Sequence, residues 1–262
     1  MTTHSFVVPA YGESPHLQAC LHSLTSQTRP SSIIVATPTP NAHISGLAED
    51  FGAELHVNSS GGGIGIDWNF ALSRATSRWV TLAHQDDLYR PQFAAATMEA
   101  AERNPDANLV FTAYAERVDD SVRMDTTLLR IKRALLELGF LGGRRASSRF
   151  LKTNTLRFGC AIPCPAVTVN AARGPFRFRE DLKLNLDWAA WLELARQPGA
   201  FVYVREVLME HRVHAESETS AGIADGVRAA EDLALLRMLW PDAIAAAICA
   251  TYGIAYRSNN QA

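Results

Sequence analysis

The chain has 262 residues, of which 47% are hydrophobic and 20% are charged, and its formal net charge is −2. This balance predicts a soluble globular protein with a sizeable core, and it gives no reason to expect nucleic-acid binding. Four scattered cysteines form no disulfide framework and favour a reducing, cytoplasmic compartment. Every apolar run is shorter than the ~18 residues of a membrane span, and the amino terminus has no signal-peptide pattern.

Short apolar runs alternate with helical patterns in the first half of the chain. The helical segments carry apolar residues three and four positions apart. The apolar runs lack strict two-residue alternation, which is typical of strands covered on both faces. This order predicts a mostly parallel sheet with helices on both faces. The predicted strands are SFVVPA, SIIVAT, AELHV, RWVTLAH and ANLVFTAY, and the predicted helices are SPHLQACLHSLTSQ, NAHISGLAEDFG, DWNFALSRA and RPQFAAATMEAAERN.

Residues 121–157 form a locally basic segment in a slightly acidic protein. An amphipathic helix, LLRIKRALLELGF, is followed by GGRRASSRFLK. The segment is interpreted as an acceptor lid, as a contact with anionic lipid, or as a solvated cationic helix face, and these alternatives stay open. Its nine basic residues are Arg123, Arg130, Lys132, Arg133, Arg144, Arg145, Arg149, Lys152 and Arg157. Further on, CPAVTVN and AFVYVREVLM are predicted strands, and LDWAAWLELAR and DGVRAAEDLALLRMLW are predicted helices.

Two acidic residues, Asp86 and Asp87, directly follow the predicted strand RWVTLAH. Ligands of parallel sheets bind at the carboxyl ends of the strands, so these carboxylates stand where a ligand is expected. Hard carboxylate oxygens suit Mg²⁺ or Mn²⁺ that bridges a diphosphate. The pair is therefore predicted to bind a metal or a ligand, although acidic residues also end strands in ordinary turns.

Three other features have both a functional and a structural interpretation. Asp187 begins a predicted helix, whose dipole would lower its pKa, so a catalytic base there needs burial or nearby negative charge. His211 and His214 could face one side of a strand end, or could be structural. The loop SSGGGIG fits neither a dinucleotide-binding motif nor a P-loop, and a flexible turn competes with a ligand-approach loop.

Five segments resemble, in order along the chain, the motifs of glycosyltransferase family 2, whose members are nucleotide-sugar transferases of the GT-A fold. The segments are FVVPAYGES, SSIIVATPTPN, GGIGIDWNFALSRATSRWVTLAHQDD, LNLDWAAWLEL and HRVHAESETS. The resemblance implies an α/β, Rossmann-like GT-A fold, in which helices flank a mostly parallel sheet and further helices follow at the carboxyl end. The implied GT-A domain covers residues 1–220, and a helical segment covers residues 221–262. Within the domain, the nucleotide-binding half is 1–120, the basic insertion is 121–157 and the acceptor half is 158–220.

The resemblance also implies an inverting transfer of one sugar from a nucleotide-diphosphate donor to a saccharide or lipid-linked acceptor. Such transfer would serve cell-surface polysaccharide or glycolipid assembly at the inner face of the plasma membrane. Asp87 would bind Mn²⁺ or Mg²⁺, and Asp187 would deprotonate the acceptor hydroxyl. The implied donor-binding residues are Pro9, Ala10, Tyr11, Glu13, Thr37, Gly65, Asp86 and His214.

Three departures from the family pattern leave the donor undefined. Thr37 replaces the acid that normally binds the base, Trp68 replaces an arginine, and Gln85 begins the D-x-D motif. A rival interpretation arises because LAHQDD also resembles the A-H-P-D-D motif of zinc-dependent sugar N-deacetylases. Three predicted strands precede LAHQDD, whereas the deacetylase motif follows the first strand. A third alternative is a degenerate transferase that binds sugar nucleotides without catalysis.

Overall fold

The computed structural model describes residues 3–174, 176–214 and 226–259, and it describes side chains as far as residue 252. Its strands are β1 (His4–Pro9), β2 (Ser32–Thr37), β3 (Glu54–Val57), β4 (Trp79–Leu82), β5 (Leu88–Tyr89), β6 (Ala107–Val118), β7 (Ser121–Arg123), β8 (Arg145–Ala146), β9 (Val167–Asn170) and β10 (Ala200–Arg212). Its helices are α1 (Leu17–Thr25), α2 (Ala42–Asp50), α3 (Ile64–Arg74), α4 (Phe93–Arg103), α5 (Thr127–Gly139), α6 (Arg149–Asn154), α7 (Leu186–Arg196), α8 (Val227–Arg237) and α9 (Asp242–Asn259).

The strands form one sheet in the order β3-β2-β1-β4-β9-β6-β10-β5, with β7 beside β6 and β8 beside β10. Strands β3, β2, β1 and β4 are mutually parallel, and β6 is parallel to β10. Strand β9 is antiparallel to both β4 and β6, so β4 and β6 run in the same direction. The carboxyl ends of β1, β2, β4, β6 and β10 therefore lie at one edge of the sheet, which confirms the predicted mostly parallel architecture.

Apolar clusters cover both faces of the sheet. Successive side chains of a strand point to opposite faces. Accordingly, Val7 belongs to the cluster that contains Trp188 and Trp191, whereas Phe6 and Val8 belong to the cluster under α1 and α4. Burial on both faces explains why the sequence of β1 shows a continuous apolar run instead of alternation.

Strand β10 connects the carboxyl-terminal half of the chain to the turn after β4. It pairs antiparallel with the short strand β5, where Met209 faces Tyr89 and Glu210 faces Leu88. Because β5 directly follows Asp87 in the sequence, the residues at the end of β10 are delivered to that carboxylate.

The carboxyl-terminal helices share the main core. Leu236 of α8 and Ala245 of α9 are buried in the same cluster as Trp191. The predicted boundary at residue 220 and the end of the HRVHAESETS motif fall in residues 215–225, outside the described part of the chain. Among the described helices, none combines the length and apolar character that crossing a lipid bilayer requires.

A buried histidine lies at the amino end of β1. His4 is 1% exposed, and its ring nitrogens lie 2.7 Å from Ser31 Oγ and 2.9 Å from Thr81 Oγ1. Burial, helped by the positive charge of Arg29, lowers the pKa of His4 to about 3. The imidazole is therefore neutral in the folded protein over most of the acidic range.

We expect His4 to make the folded state less stable in acid. The unfolded chain binds the proton below its usual pKa of about 6.5, so stability is complete above that pH and is lost as pH falls toward about 3, by about 1.4 kcal/mol per unit. Urea unfolding of the parent and of His4→Gln at about pH 7 and about pH 5 should show an extra loss of about 2 kcal/mol in the parent. An identical pH dependence in the two proteins would contradict this role for His4.

Candidate functional site

The Asp87 carboxylate is fully buried at the carboxyl edge of the sheet, with 0% exposure. Its Oδ1 accepts a hydrogen bond from the Arg212 backbone N–H at 2.8 Å and lies 3.1 Å from His211 Nδ1. Its Oδ2 is buried and has no hydrogen-bond partner among the described residues. A buried carboxylate oxygen in this state is costly unless a ligand binds it. One carboxylate oxygen of Asp87 is therefore held by hydrogen bonding, and the other has no hydrogen-bond partner among the described residues.

Three side chains around that second oxygen fit a divalent cation. His84, Asp86 and Asp87 each provide one ligand atom, and these atoms all lie within 4.8 Å of one another. His84 Nδ1 is 3.9 Å from Asp87 Oδ2. Carboxylate oxygens suit Mg²⁺ and Mn²⁺, and imidazole nitrogen suits transition metals. This donor set fits the Mn²⁺ or Mg²⁺ that the resemblance implies.

Asp86 contacts His214, which lies two residues after the end of β10. Its Oδ2 lies 3.1 Å from His214 Nε2, and its backbone carbonyl accepts a 2.9 Å hydrogen bond from Arg212 Nε. Burial raises the pKa of Asp86, but His84 and the hydrogen bond to His214 outweigh burial and hold the pKa below its usual value. Asp86 is therefore a stable anion, and the structure brings together three predicted site residues, Asp86, Asp87 and His214.

The two histidines beside Asp87 have opposite pKa shifts. Burial lowers the pKa of His84 and outweighs the neighbouring charges of Asp87 and Asp86. Burial also lowers the pKa of His211, but the charge of Asp87 and its hydrogen bond win, and the net pKa is raised. The lowered pKa of His84 favours its neutral form, whose lone pair can bind a cation, and the raised pKa of His211 favours its protonated form.

Gln85 joins the segment after β4 to the segment after β1. Its Oε1 accepts the Tyr11 backbone N–H at 3.0 Å, and its Nε2 donates to the Tyr11 carbonyl at 3.3 Å. The side chain of Tyr11 is 67% exposed, so the ring is open to a planar ligand. Gln85, where the family has an acid, is therefore a clamp on the Tyr11 backbone.

Thr37 uses its hydroxyl within the protein. It is fully buried at the end of β2, and its Oγ1 accepts the Thr39 backbone N–H at 3.0 Å. Thr39 Oγ1 in turn accepts the Gly12 backbone N–H at 2.8 Å, and Asn41 Nδ2 donates to the Gly12 carbonyl at 3.2 Å. A neutral network thus holds this loop at the place where the family has a carboxylate.

The remaining predicted donor residues lie in two places. Pro9 ends β1, Ala10 is buried and donates its N–H to the Ala36 carbonyl at 2.8 Å, and Glu13 is exposed in the following loop. Gly65 lies in α3 instead. A Cβ added at Gly65 would stand 2.8 Å from the Arg179 carbonyl oxygen, so this glycine permits close packing against the chain before α7.

Asp187 lies in the first turn of α7. Its Oδ1 accepts the Trp188 backbone N–H at 2.7 Å, and its Oδ2 is 3.6 Å from Cys160 Sγ. Burial raises the pKa of Asp187 against the opposing charge of Arg228 and these hydrogen bonds. Burial therefore overcomes the helix dipole, which supplies the compensation that a catalytic base at this position needs. The Asp187 charge also acts on the pKa of His84, so the two side chains lie within electrostatic range.

Trp68 supports the other side of His84. Its ring lies 4.8 Å from the imidazole, with an interplanar angle of 37°, and it contacts the edge of Phe178 at 4.9 Å. The residue that replaces the family's arginine therefore orients His84 by aromatic contact.

One functional contact was not predicted from the sequence. The Glu231 carboxylate of α8 accepts hydrogen bonds from the backbone N–H groups of Lys183, Leu184 and Asn185, at 2.7, 3.1 and 2.9 Å. Asn185 Nδ2 also donates to Asp232 Oδ1 at 2.9 Å. These contacts fix the chain that leads into α7. The sequence offered no signal for them, since an acidic pair on an amphipathic helix is typical of a solvated face.

We expect Glu231→Ala to destabilise the protein by on the order of 2 kcal/mol, because three backbone donors lose a charged acceptor. Glu99→Ala is the matched control, since Glu99 is exposed on α4 and pairs only with Arg103 of the same helix among the contacts described; its loss should be about 0.5 kcal/mol or less. Urea unfolding measures both, and hydrogen exchange should quicken at residues 183–185 only in the Glu231 variant. Equal losses of unfolding free energy in the two variants would show that Glu231 does not anchor the chain before α7.

Comparison with known proteins identifies the family. The sequence model for glycosyl transferase family 2 matches residues 5–166, which is more than half of the chain. Comparison with curated proteins gives no match.

Several solved structures resemble the protein at low sequence identity. S. aureus TarS 1–349 in complex with UDP-GlcNAc is 14% identical, with 96% of this chain and 71% of that chain covered and a TM-score of 0.64. The mannosyltransferase PcManGT from Pyrobaculum calidifontis, in complex with GDP-Man and Mn²⁺, is 16% identical, with 87% and 61% covered and a TM-score of 0.59.

Glucosyl-3-phosphoglycerate synthase from Mycobacterium tuberculosis, in complex with Mn²⁺, UDP-glucose and phosphoglyceric acid, is 15% identical. The match covers 89% of this chain and 79% of the synthase chain, with a TM-score of 0.59. At such identities the likeness is one of fold, and it confirms the expected GT-A architecture. Together with the family match, it establishes that the chain belongs to glycosyltransferase family 2.

Proposed function

We propose that the protein is a metal-dependent, inverting glycosyltransferase that moves one sugar from a nucleotide-diphosphate donor to an acceptor hydroxyl. The observation that carries this proposal is the buried Oδ2 of Asp87, which has no hydrogen-bond partner among the described residues and lies 3.9 Å from His84 Nδ1. The charge of half-buried Asp187, whose pKa is raised, acts on the same imidazole. A cation site beside a strengthened carboxylate base is what this reaction requires.

The donor is proposed to be a nucleotide sugar, and solved relatives in complex with UDP-GlcNAc, UDP-glucose and GDP-Man support that class. We assign Pro9, Ala10, Tyr11 and Glu13 to the nucleotide, since they follow β1 at the ligand-binding edge. Thr37 is buried, carries no charge and uses its hydroxyl within the loop, so base recognition here differs from that of relatives with an acid at this position.

Asp87 Oδ2 would hold Mn²⁺ or Mg²⁺, with His84 and Asp86 beside it. A cation bound there neutralises negative charge on the departing nucleoside diphosphate. Asp86 and His214 form one hydrogen-bonded unit, which we place against the donor sugar and the diphosphate. The fixed oxygen of Asp87 keeps the carboxylate oriented through the Arg212 backbone N–H.

Asp187 is the proposed catalytic base. It takes the proton of the acceptor hydroxyl as the acceptor oxygen bonds to the anomeric carbon and the bond from that carbon to the diphosphate breaks. A single displacement from the opposite face inverts the configuration. Burial favours this role because a carboxylate of raised pKa accepts a proton more readily.

The acceptor is proposed to be a saccharide or a lipid-linked saccharide of a cell-surface polymer, at the cytoplasmic face of the membrane. The basic and apolar character of residues 121–157, next to the acceptor half, supports this class. Membership of the transferase family favours transfer over zinc-dependent deacetylation. A degenerate binding module would retain donor binding and lack transfer.

We expect UDP or GDP to raise the Tm only together with Mn²⁺ or Mg²⁺, since ligands that bind the folded state stabilise it, by about 2.7 kcal/mol at a hundredfold excess over Kd. Asp87→Asn should abolish the metal-dependent part of the shift. Asp125→Asn, which alters an exposed acid paired with Arg130, should keep it. Stabilisation by Zn²⁺ alone, with no nucleotide effect, would instead favour the deacetylase.

Asp187→Asn should lower sugar transfer by about 10²- to 10⁴-fold, because the amide cannot accept the hydroxyl proton. The assay follows transfer from labelled nucleotide sugars to membrane extract. The nucleotide-dependent Tm shift of this variant should equal that of the parent, because Asp187 is not assigned to the donor. Full transfer activity in Asp187→Asn would show that the assigned base is wrong.

A further inference from the structure

We propose that the turn after α5 docks the protein on an anionic lipid surface, with Leu138, Leu141 and Phe150 entering the interface. We call residues 138–150 the α5–α6 tip. The partner is a bilayer that contains acidic headgroups, and the contact combines apolar insertion with attraction of arginines.

Exposed apolar side chains are concentrated in this part of the molecule. Leu138 is 69% exposed, Leu141 is 73% and Phe150 is 67%. Such a concentration in a chain with a well-formed core indicates a surface that binds something apolar. Of the thirteen exposed large apolar residues in the described chain, eight lie between residues 122 and 158. The eight are Val122, Met124, Leu128, Ile131, Leu138, Leu141, Phe150 and Phe158.

Helix α5 carries two apolar stripes. Leu129 and Leu136 are buried and attach the helix to the core. Leu128, Ile131 and Leu138 lie three to ten positions apart on another side and are exposed. The first stripe packs against the core, whereas the second leaves apolar side chains exposed on the surface of the helix.

Leu141 is strained at the point of greatest exposure. It follows the last turn of α5 with a φ of 52°, and its N–H donates to the Leu138 carbonyl at 3.2 Å. Glycine is the usual residue at this left-handed position after a helix, because its lack of a Cβ removes the steric cost. Leu141 has this backbone strain although its side chain is exposed, so packing within the protein does not explain it. The strain indicates that the side chain contacts a binding partner.

Two exposed arginines place the proposed lipid contact at the α5–α6 tip. Arg144 and Arg149 are exposed, lie between Leu141 and Phe150 in the sequence, and form no ion pair among the contacts described. Four other basic residues of residues 121–157 bind groups within the protein, which leaves their charge partly neutralised. The occupied contacts are Arg130 with Asp125, Lys132 with Tyr114, Arg145 with Asp106, and Lys152 with the Gln197 carbonyl.

A lipid surface fits the tip better than a second copy of the chain. In a two-fold symmetric dimer the same patch meets itself, which would bring Arg144 and Arg149 toward their own copies. Like charges opposed in an interface are unfavourable. Anionic headgroups neutralise the same arginines while the acyl region accepts the apolar side chains.

The inner side of α5 borders the proposed acceptor region. Lys132 Nζ lies 2.7 Å from Tyr114 Oη, and its charge acts on Asp187. Lys132 thus places one residue of the proposed lipid-facing helix within electrostatic range of the proposed base. If the proposed function is correct, docking brings a lipid-linked acceptor toward Asp187; the docking itself does not depend on that function.

Co-sedimentation with phosphatidylcholine vesicles, with and without phosphatidylglycerol, tests the proposal on the full chain. The parent should bind the phosphatidylglycerol vesicles, and added salt should weaken the binding. Leu141→Gly should lower the affinity about tenfold through loss of the inserted side chain. Its Tm should equal or exceed that of the parent, because glycine relieves the backbone strain. Leu138→Ser and Phe150→Ser should also weaken binding.

Ile244→Ser is the matched control, since Ile244 is 43% exposed on α9, away from the tip in sequence, and its variant should bind like the parent. Absence of parental binding, or equal binding by the parent and Leu141→Gly, would overturn the proposal. So would a dimer in light scattering that Leu141→Gly dissociates, since the occupant would then be a second copy. Asp187→Asn should keep vesicle binding, so failure of docking and failure of the proposed function are separate outcomes.

Discussion

The burial of one carboxylate organises the carboxyl edge of the sheet. Asp87 is held by the Arg212 backbone N–H and by His211, both from the end of β10. Strand β10 can reach it only because it pairs with β5 immediately after the turn. Burying the second oxygen without a hydrogen-bond partner is costly, and the proposed cation would offset that cost. The same strand pairing that completes the sheet therefore also holds the Asp87 carboxylate in position.

Neutral side chains replace charged ones around this carboxylate. Gln85 clamps the Tyr11 backbone, and Thr37 holds the following loop through Thr39. At both positions a neutral side chain fixes the loop backbone where the family pattern has an acid. Trp68 likewise exchanges a cation for an aromatic surface against His84. Charge at the site is thus concentrated in Asp86, Asp87 and Asp187, where the proposed chemistry uses it.

Local patterns in the sequence were enough to predict the sheet, the end-of-strand position of Asp86 and Asp87, and the helical setting of Asp187. Each of these depends on neighbours within a few residues. Contacts between distant residues left no such pattern. The Gln85 clamp joins residues 74 positions apart, and the pKa of Asp187 depends on burial by elements far along the chain. The sequence shows how many basic residues lie in 121–157, but it does not show which of them bind partners within the protein.

The contact between Glu231 and the chain before α7 spans 46 to 48 positions in sequence. A growing chain emerges from the ribosome amino terminus first, and its early elements can fold before the later ones exist. The strands that present Asp86 and Asp87 are complete long before α8 is made. The segment that carries Asp187 acquires its Glu231 anchor only after α8 has been made. The order of synthesis therefore produces Asp86 and Asp87 well before the helix that anchors the segment of Asp187.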